Sequence, residues 1–202
     1  AIVFTIFAVS GVTNAINIID GYNGLAVGYS IIVLAAMALV AAQLGDTFLL
    51  TANLAMIGSL LGFLVWNWPG GKIFLGDGGA YLLGFWLAEM AVLIVARHPE
   101  VSVWFPMLLM TYPVFETLYS IYRRKVKRKL PPGHPDALHL HQLIYRRLVR
   151  IHVGSKTSAH KIQRNSKVAI YFWVPNLGFA VLACLLWKQT ALLILFCIFF
   201  CA

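Results

Sequence analysis

LAVGYSIIVLAAMALVAAQL, residues 25–44, runs twenty residues without a charge. A helix needs about 20 mostly apolar residues to cross the hydrocarbon core of a bilayer, so this stretch reads as a membrane span. Working outward, comparable runs occupy roughly Ala1–Ile19, Thr47–Trp66, Ala80–Ala96, Val101–Tyr122 and Val168–Trp187, and a last run, Gln189–Ala202, is too short to span. These runs predict an all-α fold: a polytopic transmembrane helical bundle of about seven membrane segments. Composition agrees. The chain is 60% hydrophobic and 11% charged, where a soluble domain carries about 25% charged residues. Its mean hydropathy is +0.81. Residues 1–202 read as a single membrane domain with a basic loop at about 123–167. The chain starts and stops inside apolar runs, which is expected of the C-terminal part of a longer protein.

Charge sets the orientation. Of the 16 Lys and Arg, 13 lie between Arg123 and Lys167. Cytoplasmic loops are enriched in Lys and Arg, so this loop is placed in the cytoplasm. Counting back one crossing at a time puts Arg97–Glu100 outside, Asn67–Gly79 inside, the loop at Asp46 outside and the junction Asn14–Gly24 inside. The net charge of +9 is first a topology signal, and it can also draw in anionic lipid or an anionic substrate. Nucleic acid is not the expected partner, because the cluster flanks membrane helices and carries no recognition motif. Cys184, Cys197 and Cys201 lie in apolar runs without CxxC spacing, so they read as small apolar residues.

Three polar clusters interrupt the apolar pattern, all on the inner side of this topology. In the first, Asn14 and Asn17 share a helix face, Asp20 ends it, and Gly21 and Gly24 allow a tight turn around Tyr22 and Asn23. Asn residues in an apolar helix are costly unless they face partners. The second, Asn67-Trp-Pro-Gly-Gly-Lys-Ile-Phe74-Leu-Gly-Asp77-Gly-Gly, sets Asp77 between glycines. It suits Mg²⁺ held by one or two carboxylates plus substrate phosphates; the plainer reading is an N-cap for the next helix. The third, His134-Pro-Asp136-Ala-Leu-His139-Leu-His141-Gln142, lies in the basic loop near Arg146, Arg147 and Arg150. It is either a solvated loop or a phosphate-binding segment. A zinc site lacks further matching ligands. Glu89 and Glu116 fall inside apolar runs with no partner evident in the sequence.

NAINIIDGYNGLA, FLGDGGAYLLGF and HPDALHLHQLIYRR, in that order, resemble the polyprenyl-phosphate N-acetylhexosamine-1-phosphate transferases, glycosyltransferase family 4. The match is nearer the undecaprenyl-phosphate N-acetylglucosamine-type branch than the muramoyl-pentapeptide branch. The resemblance implies transfer of a sugar 1-phosphate, N-acetylglucosamine 1-phosphate above all, from a UDP-activated N-acetylhexosamine to undecaprenyl phosphate, with release of UMP. This would be the first membrane step of cell-envelope polysaccharide synthesis, on the cytoplasmic face of the bacterial inner membrane. It implies Mg²⁺, with Mn²⁺ as an alternative, at Asp77. Catalytic roles fall on Asp20, Asp77, His139 and His141. Substrate contacts fall on Asn14, Asn17, Gly21, Tyr22, Asn23, Asn67, Phe74 and Arg146. Membrane lipid is a partner, and a homodimer is compatible.

The chain departs from the family pattern in three places. No Asp-Asp pair occurs in the 202 residues, Asn23 stands where the family has Asp, and Gln142 stands where it has a further His. The missing Asp-Asp pair keeps a catalytically inactive partner subunit in view and, together with the absence of the family's upstream helices, implies that this chain alone is inactive. A transporter is the other alternative, but transporters place polar residues near the bilayer midplane, and here they gather at the ends of spans.

Overall fold

The computed structural model describes residues 2–127, 129, 138–149 and 158–201. His134, Asp136 and Arg150 of the third cluster lie outside the described residues. The regular structure is helical throughout: α1 (Ile2–Ile19), α2 (Leu25–Gln43), α3 (Thr47–Asn67), α4 (Gly76–Arg97), α5 (Trp104–Leu109), α6 (Thr111–Tyr122), α7 (Leu140–Ile144), α8 (Ser158–Leu186) and α9 (Thr190–Cys201). π-helical turns extend α6 over Arg123–Lys127 and α7 over Tyr145–Val149.

Five of these are long and apolar enough to cross a membrane: α1 to α4 and the Lys161–Leu186 stretch of α8. This is fewer than the seven segments read from the sequence. The expected run Val101–Tyr122 is not one helix but α5 and α6, broken at Met110. Pro113 supplies the reason. It has no N–H to return to the carbonyl four residues earlier, and its ring crowds that carbonyl. The freed Leu109 carbonyl accepts instead from the Tyr29 hydroxyl of α2, at 2.6 Å. An apolar interior demands such a replacement partner for any loose backbone group. Helix α8 begins at Ser158, so residues 158–167 of the expected basic loop are helical.

Helix α2 is the central post. It is apolar on all sides, as a buried helix is, and Tyr29, Val33, Leu34, Met37 and Val40 are all at most 1% exposed. Helices α3, α4 and α8 pack around it, and α1 lies along α4. The α1–α4 crossing is tight because of Gly84. A Cβ there would fall 2.7 Å from Thr13 Cα and 2.8 Å from its carbonyl oxygen. Small residues at a crossing let two backbones approach closely in a membrane.

Interhelical bonds sort the loops into two sets, one at each end of the bundle. At one end, the Asp46 carboxylate meets Arg97 Nε at 2.7 Å and His98 Nε2 at 2.9 Å. The Ser102 N–H donates to the Trp187 carbonyl, and Trp187 Nε1 donates to Gln43. Burial alone would raise the Asp46 carboxyl, but Arg97, the Leu49 N–H and His98 hold it well below the usual carboxylate range. At the other end, the Asn23 N–H donates to Asn165, Asn23 Nδ2 to the Pro69 carbonyl, and Trp68 Nε1 to the Ser166 carbonyl. These are the two sets that charge counting separates.

The tight crossing has a consequence for stability. Gly84→Ala must force α1 off α4, and overpacking of this kind costs about 1–3 kcal/mol. Gly62→Ala on α3, where nothing lies within 4 Å of the added carbon, is the matched control. Thermal unfolding in detergent should show a lowered midpoint for Gly84→Ala and none for Gly62→Ala; equal midpoints would show that the crossing does not limit packing.

Candidate active site

The end of the bundle holding Asn23 and Asn67 carries a cavity of about 210 Å³ lined by Asn17, Asp20, Gly21, Tyr22, Asn23, Asn67, Phe74, Gly76, Asp77 and Asn165. Its walls are the α1–α2 loop, the α3–α4 loop and the start of α8. Asn67, 6% exposed, joins the first two. Its Oδ1 accepts from the Gly24 N–H at 2.6 Å and its Nδ2 donates to the Ile73 carbonyl at 2.8 Å. Gly24 holds φ +76, and a Cβ there would meet the Trp68 ring at 2.7 Å. The turn therefore needs glycine both for its left-handed backbone and for space. Asn165 closes the third wall, its Oδ1 accepting from the Asn23 N–H at 2.7 Å.

Two carboxylates face this cavity. Asp77 lies in the first turn of α4, after Gly76 at φ +65. The N-cap position belongs to Leu75, so Asp77 is not the cap that the plainer sequence reading offered. Asp77 Oδ1 instead accepts from Asn17 Nδ2 of α1 at 3.2 Å. Asp20 stands just past the end of α1. Its carboxyl is pushed up to about 6, first by burial and second by the charge of Asp77. A cation between the two groups would relieve the second cause directly. Among the described residues no set of three or more His, Cys, Asp and Glu gathers to hold a metal. Two carboxylates and an open cavity suit Mg²⁺, which keeps waters and takes substrate phosphates, better than an all-protein metal cage.

The histidines form the layer behind Tyr22. His141 is 2% exposed; its ring meets Tyr22 edge-on, with centroids 5.6 Å apart. Its Nε2 would lie 3.5 Å from a Cβ built on Gly21, and its Nδ1 is 3.1 Å from the Tyr112 hydroxyl. Burial, and then His139, push His141 down to about 4 against an opposing pull from Glu116. It is therefore a neutral hydrogen-bonding group near neutral pH. His139 stacks on it at 5.3 Å, and the His139 backbone N–H donates to Gln142 Oε1 at 3.3 Å. Tyr145 lies 5.4 Å from Tyr22, ring to ring. Arg146 is exposed in the adjoining π-turn, and its charge reaches the Tyr22 hydroxyl.

Asn17, Asp20, Gly21, Tyr22, Asn23, Asn67, Phe74 and Asp77 thus line one cavity. His139, His141 and Arg146 sit behind or beside it. Asn14 is turned elsewhere, toward Tyr81, Phe85 and Glu89 on the α1–α4 face. One contributor has no counterpart in the sequence reading, and another gains its partner only in the structure. Asn165 is hidden among the basic residues in the first turns of α8, with only its polarity to mark it. Glu116 was noticed without a partner, and its partner proves to be His139.

A family model described as glycosyl transferase family 4 matches residues 1–95. A Bacillus subtilis protein named probable undecaprenyl-phosphate N-acetylglucosaminyl 1-phosphate transferase is 38% identical over 138 residues, covering 68% of this chain and 38% of that protein. A Thermotoga maritima undecaprenyl-phosphate alpha-N-acetylglucosaminyl 1-phosphate transferase is 31% identical over 146 residues, 72% of this chain and 44% of its own length. A phospho-N-acetylmuramoyl-pentapeptide-transferase of Leuconostoc citreum is 39% identical over 119 residues, 59% and 35% of the respective chains. The chain spans about two fifths of the length of the curated relatives it matches.

The raised Asp20 carboxyl sets a pH dependence. With its folded value near 6 against an ordinary 3.8, the folded protein binds the extra proton between these limits. The Asp20 contribution to stability is then full below the ordinary value and is lost as pH rises through 6. Asp20→Asn removes that dependence. Asp77→Asn, which deletes the lesser cause, should move the Asp20 titration down while leaving it above the ordinary range. Infrared titration of the protonated carboxyl band checks both; an Asp20 band unmoved by Asp77→Asn would show that the two carboxylates do not sense each other.

Proposed function

Residues 1–95 place the chain in glycosyl transferase family 4, and from that membership we propose that the protein transfers a sugar 1-phosphate from a UDP-activated N-acetylhexosamine to undecaprenyl phosphate. The observation that carries this reading is the meeting of Asp20 and Asp77 in one cavity. That cavity opens at the loop end of a membrane bundle, where a soluble nucleotide sugar and a lipid phosphate can both arrive. The donor is N-acetylglucosamine bound to UDP, the site faces the cytoplasm of the bacterial inner membrane, and the product enters cell-envelope polysaccharide synthesis. The 13 basic residues of Arg123–Lys167 support that orientation and draw in the anionic donor.

In this reading an oxygen of the lipid phosphate attacks the sugar-bearing phosphorus of the donor. The bond to the bridging oxygen breaks, and UMP leaves. Phosphoryl transfer of this kind asks the protein for positioning and charge stabilisation. Asp77 and Asp20 would hold Mg²⁺, which would supply Lewis-acid stabilisation of the charge that develops in the transfer. Asn17 fixes the Asp77 carboxylate from α1. Tyr22 and Phe74 supply flat apolar surface for the base. Asn23 and Asn67 spend their side chains on backbone partners, so they shape the pocket around the donor. The basic side chains Arg146 and Arg147 raise the local concentration of phosphate.

Asp77→Asn is the direct test, in membranes expressing the full product of the gene. The substitution keeps the shape and the Asn17 contact can be re-formed, but the charge is lost. Lewis-acid help is worth several kcal/mol, and each 1.36 kcal/mol is about tenfold in rate. Release of UMP from UDP-N-acetylglucosamine should therefore fall by at least about a hundredfold, with folded yield unchanged. A variant with wild-type rate and wild-type Mg²⁺ dependence would remove Asp77 from the metal site.

A further inference from the structure

Glu116 lies in α6 and is 4% exposed. A buried carboxylate at this depth is costly unless its oxygens accept hydrogen bonds. Both do. Oε1 is 2.8 Å from His139 Nδ1, and Oε2 accepts from the Leu140 N–H at 3.0 Å. Tyr112 sits four residues earlier, on the same face of α6, with its hydroxyl 3.1 Å from His141 Nδ1. One helix face thus takes the Nδ1 atom of both histidines. The two rings stack with only 11° between their planes, and His141 in turn meets Tyr22 of the cavity wall.

A carboxylate can only accept, so the His139 nitrogen facing it must carry a proton. In the neutral ring Nε2 is then the nitrogen with a free lone pair; in the charged ring Nε2 becomes a second donor. Either way Nε2 is the only ring position left for a ligand.

We propose that Glu116 is a positioning residue for the adjoining cavity: it fixes His139 in the Nδ1–H form and leaves Nε2 as the ring nitrogen that meets a phosphate-bearing ligand. The nature of that ligand rests on the function proposed above; the tautomer does not. A purely structural role, pinning Leu140 and the start of α7 to α6, would show in stability and leave the His139 proton where it is.

Ring-nitrogen NMR of histidine-labelled protein in lipid nanodiscs reads the proton directly, with His139 assigned by its absence in His139→Gln. At a pH where the ring is neutral, the wild type should show His139 with Nδ1 protonated and Nε2 bare. In Glu116→Gln the amide oxygen goes on accepting from Leu140, the amide N–H turns to Nδ1, and His139 should switch to the Nε2–H form. Pyrophosphate with Mg²⁺ should shift His139 Nε2 in the wild type and leave it unmoved in the variant. Turnover in membranes should fall by about tenfold to a hundredfold, the scale seen when a partner that orients a functional histidine is lost, with little change in KM. A wild-type His139 protonated at Nε2 would overturn the proposal, and that spectrum decides even if the Gln variant fails to fold. An unchanged tautomer and unchanged turnover in a folded Glu116→Gln would overturn it too. Failure of the sugar-nucleotide reading would look different: wild-type membranes would release no UMP, while the tautomer and the pyrophosphate shift would still decide the role of Glu116.

Discussion

Backbone groups buried away from water must find hydrogen-bond partners within the protein. Asn67 carries that constraint here. One amide, 6% exposed, accepts from the N–H of Gly24 and donates to the carbonyl of Ile73. It thereby fixes the α1–α2 turn against the α3–α4 loop, and with them the entry points of Asp20 and Asp77. The Trp68 ring fills the space a side chain at Gly24 would take, and Trp68 anchors the start of α8 through Ser166. The joint adds to the α1–α4 packing that already brings the end of α1 beside the start of α4. Burial chiefly raises the Asp20 carboxyl, and the charge of Asp77 adds to it.

The second organising feature is the division of labour between bundle and loops. Apolar helices set the distances: Gly84 lets α1 lie close on α4, which brings Asn17 within 3.2 Å of Asp77. Loops supply the chemistry. Helix α6 does both. Its Pro113 frees a carbonyl that Tyr29 satisfies, and its Tyr112 and Glu116 reach the histidine segment. The interruption in the α5–α6 run is thus bridged to the central post α2.

Much of the fold was legible because hydropathy over some twenty residues reports burial in lipid without any knowledge of partners. Pro113 marked the place where one run would break, but the sequence reading carried Val101–Tyr122 through as a single span. Residue spacing could not show that Tyr29, eighty residues away, receives the freed carbonyl. The site was legible where polar residues stood against an apolar background, as Asp20, Asn17 and Asp77 do. It was illegible where they did not. Asn165 sits among basic residues that mask it. Glu116 stood out, yet its partner His139 lies across the basic loop, and pairing over that distance leaves no local signal. Burial was hidden as well: His141 in a basic loop reads as solvated, whereas Tyr22, Tyr112 and the turn at Gly21 enclose it.

Central to the account is that Asp20 and Asp77 act together on one divalent cation. A double-mutant cycle on metal affinity tests this most directly. Binding of Mn²⁺ in the presence of UMP, followed by electron paramagnetic resonance, would be measured for the wild type, Asp20→Asn, Asp77→Asn and the double variant. Two ligands of one ion lose their function as a unit, so the double variant should bind little more weakly than the worse single one. Independent sites would instead give losses that add to within about 0.5 kcal/mol, and that additivity would contradict the shared cation.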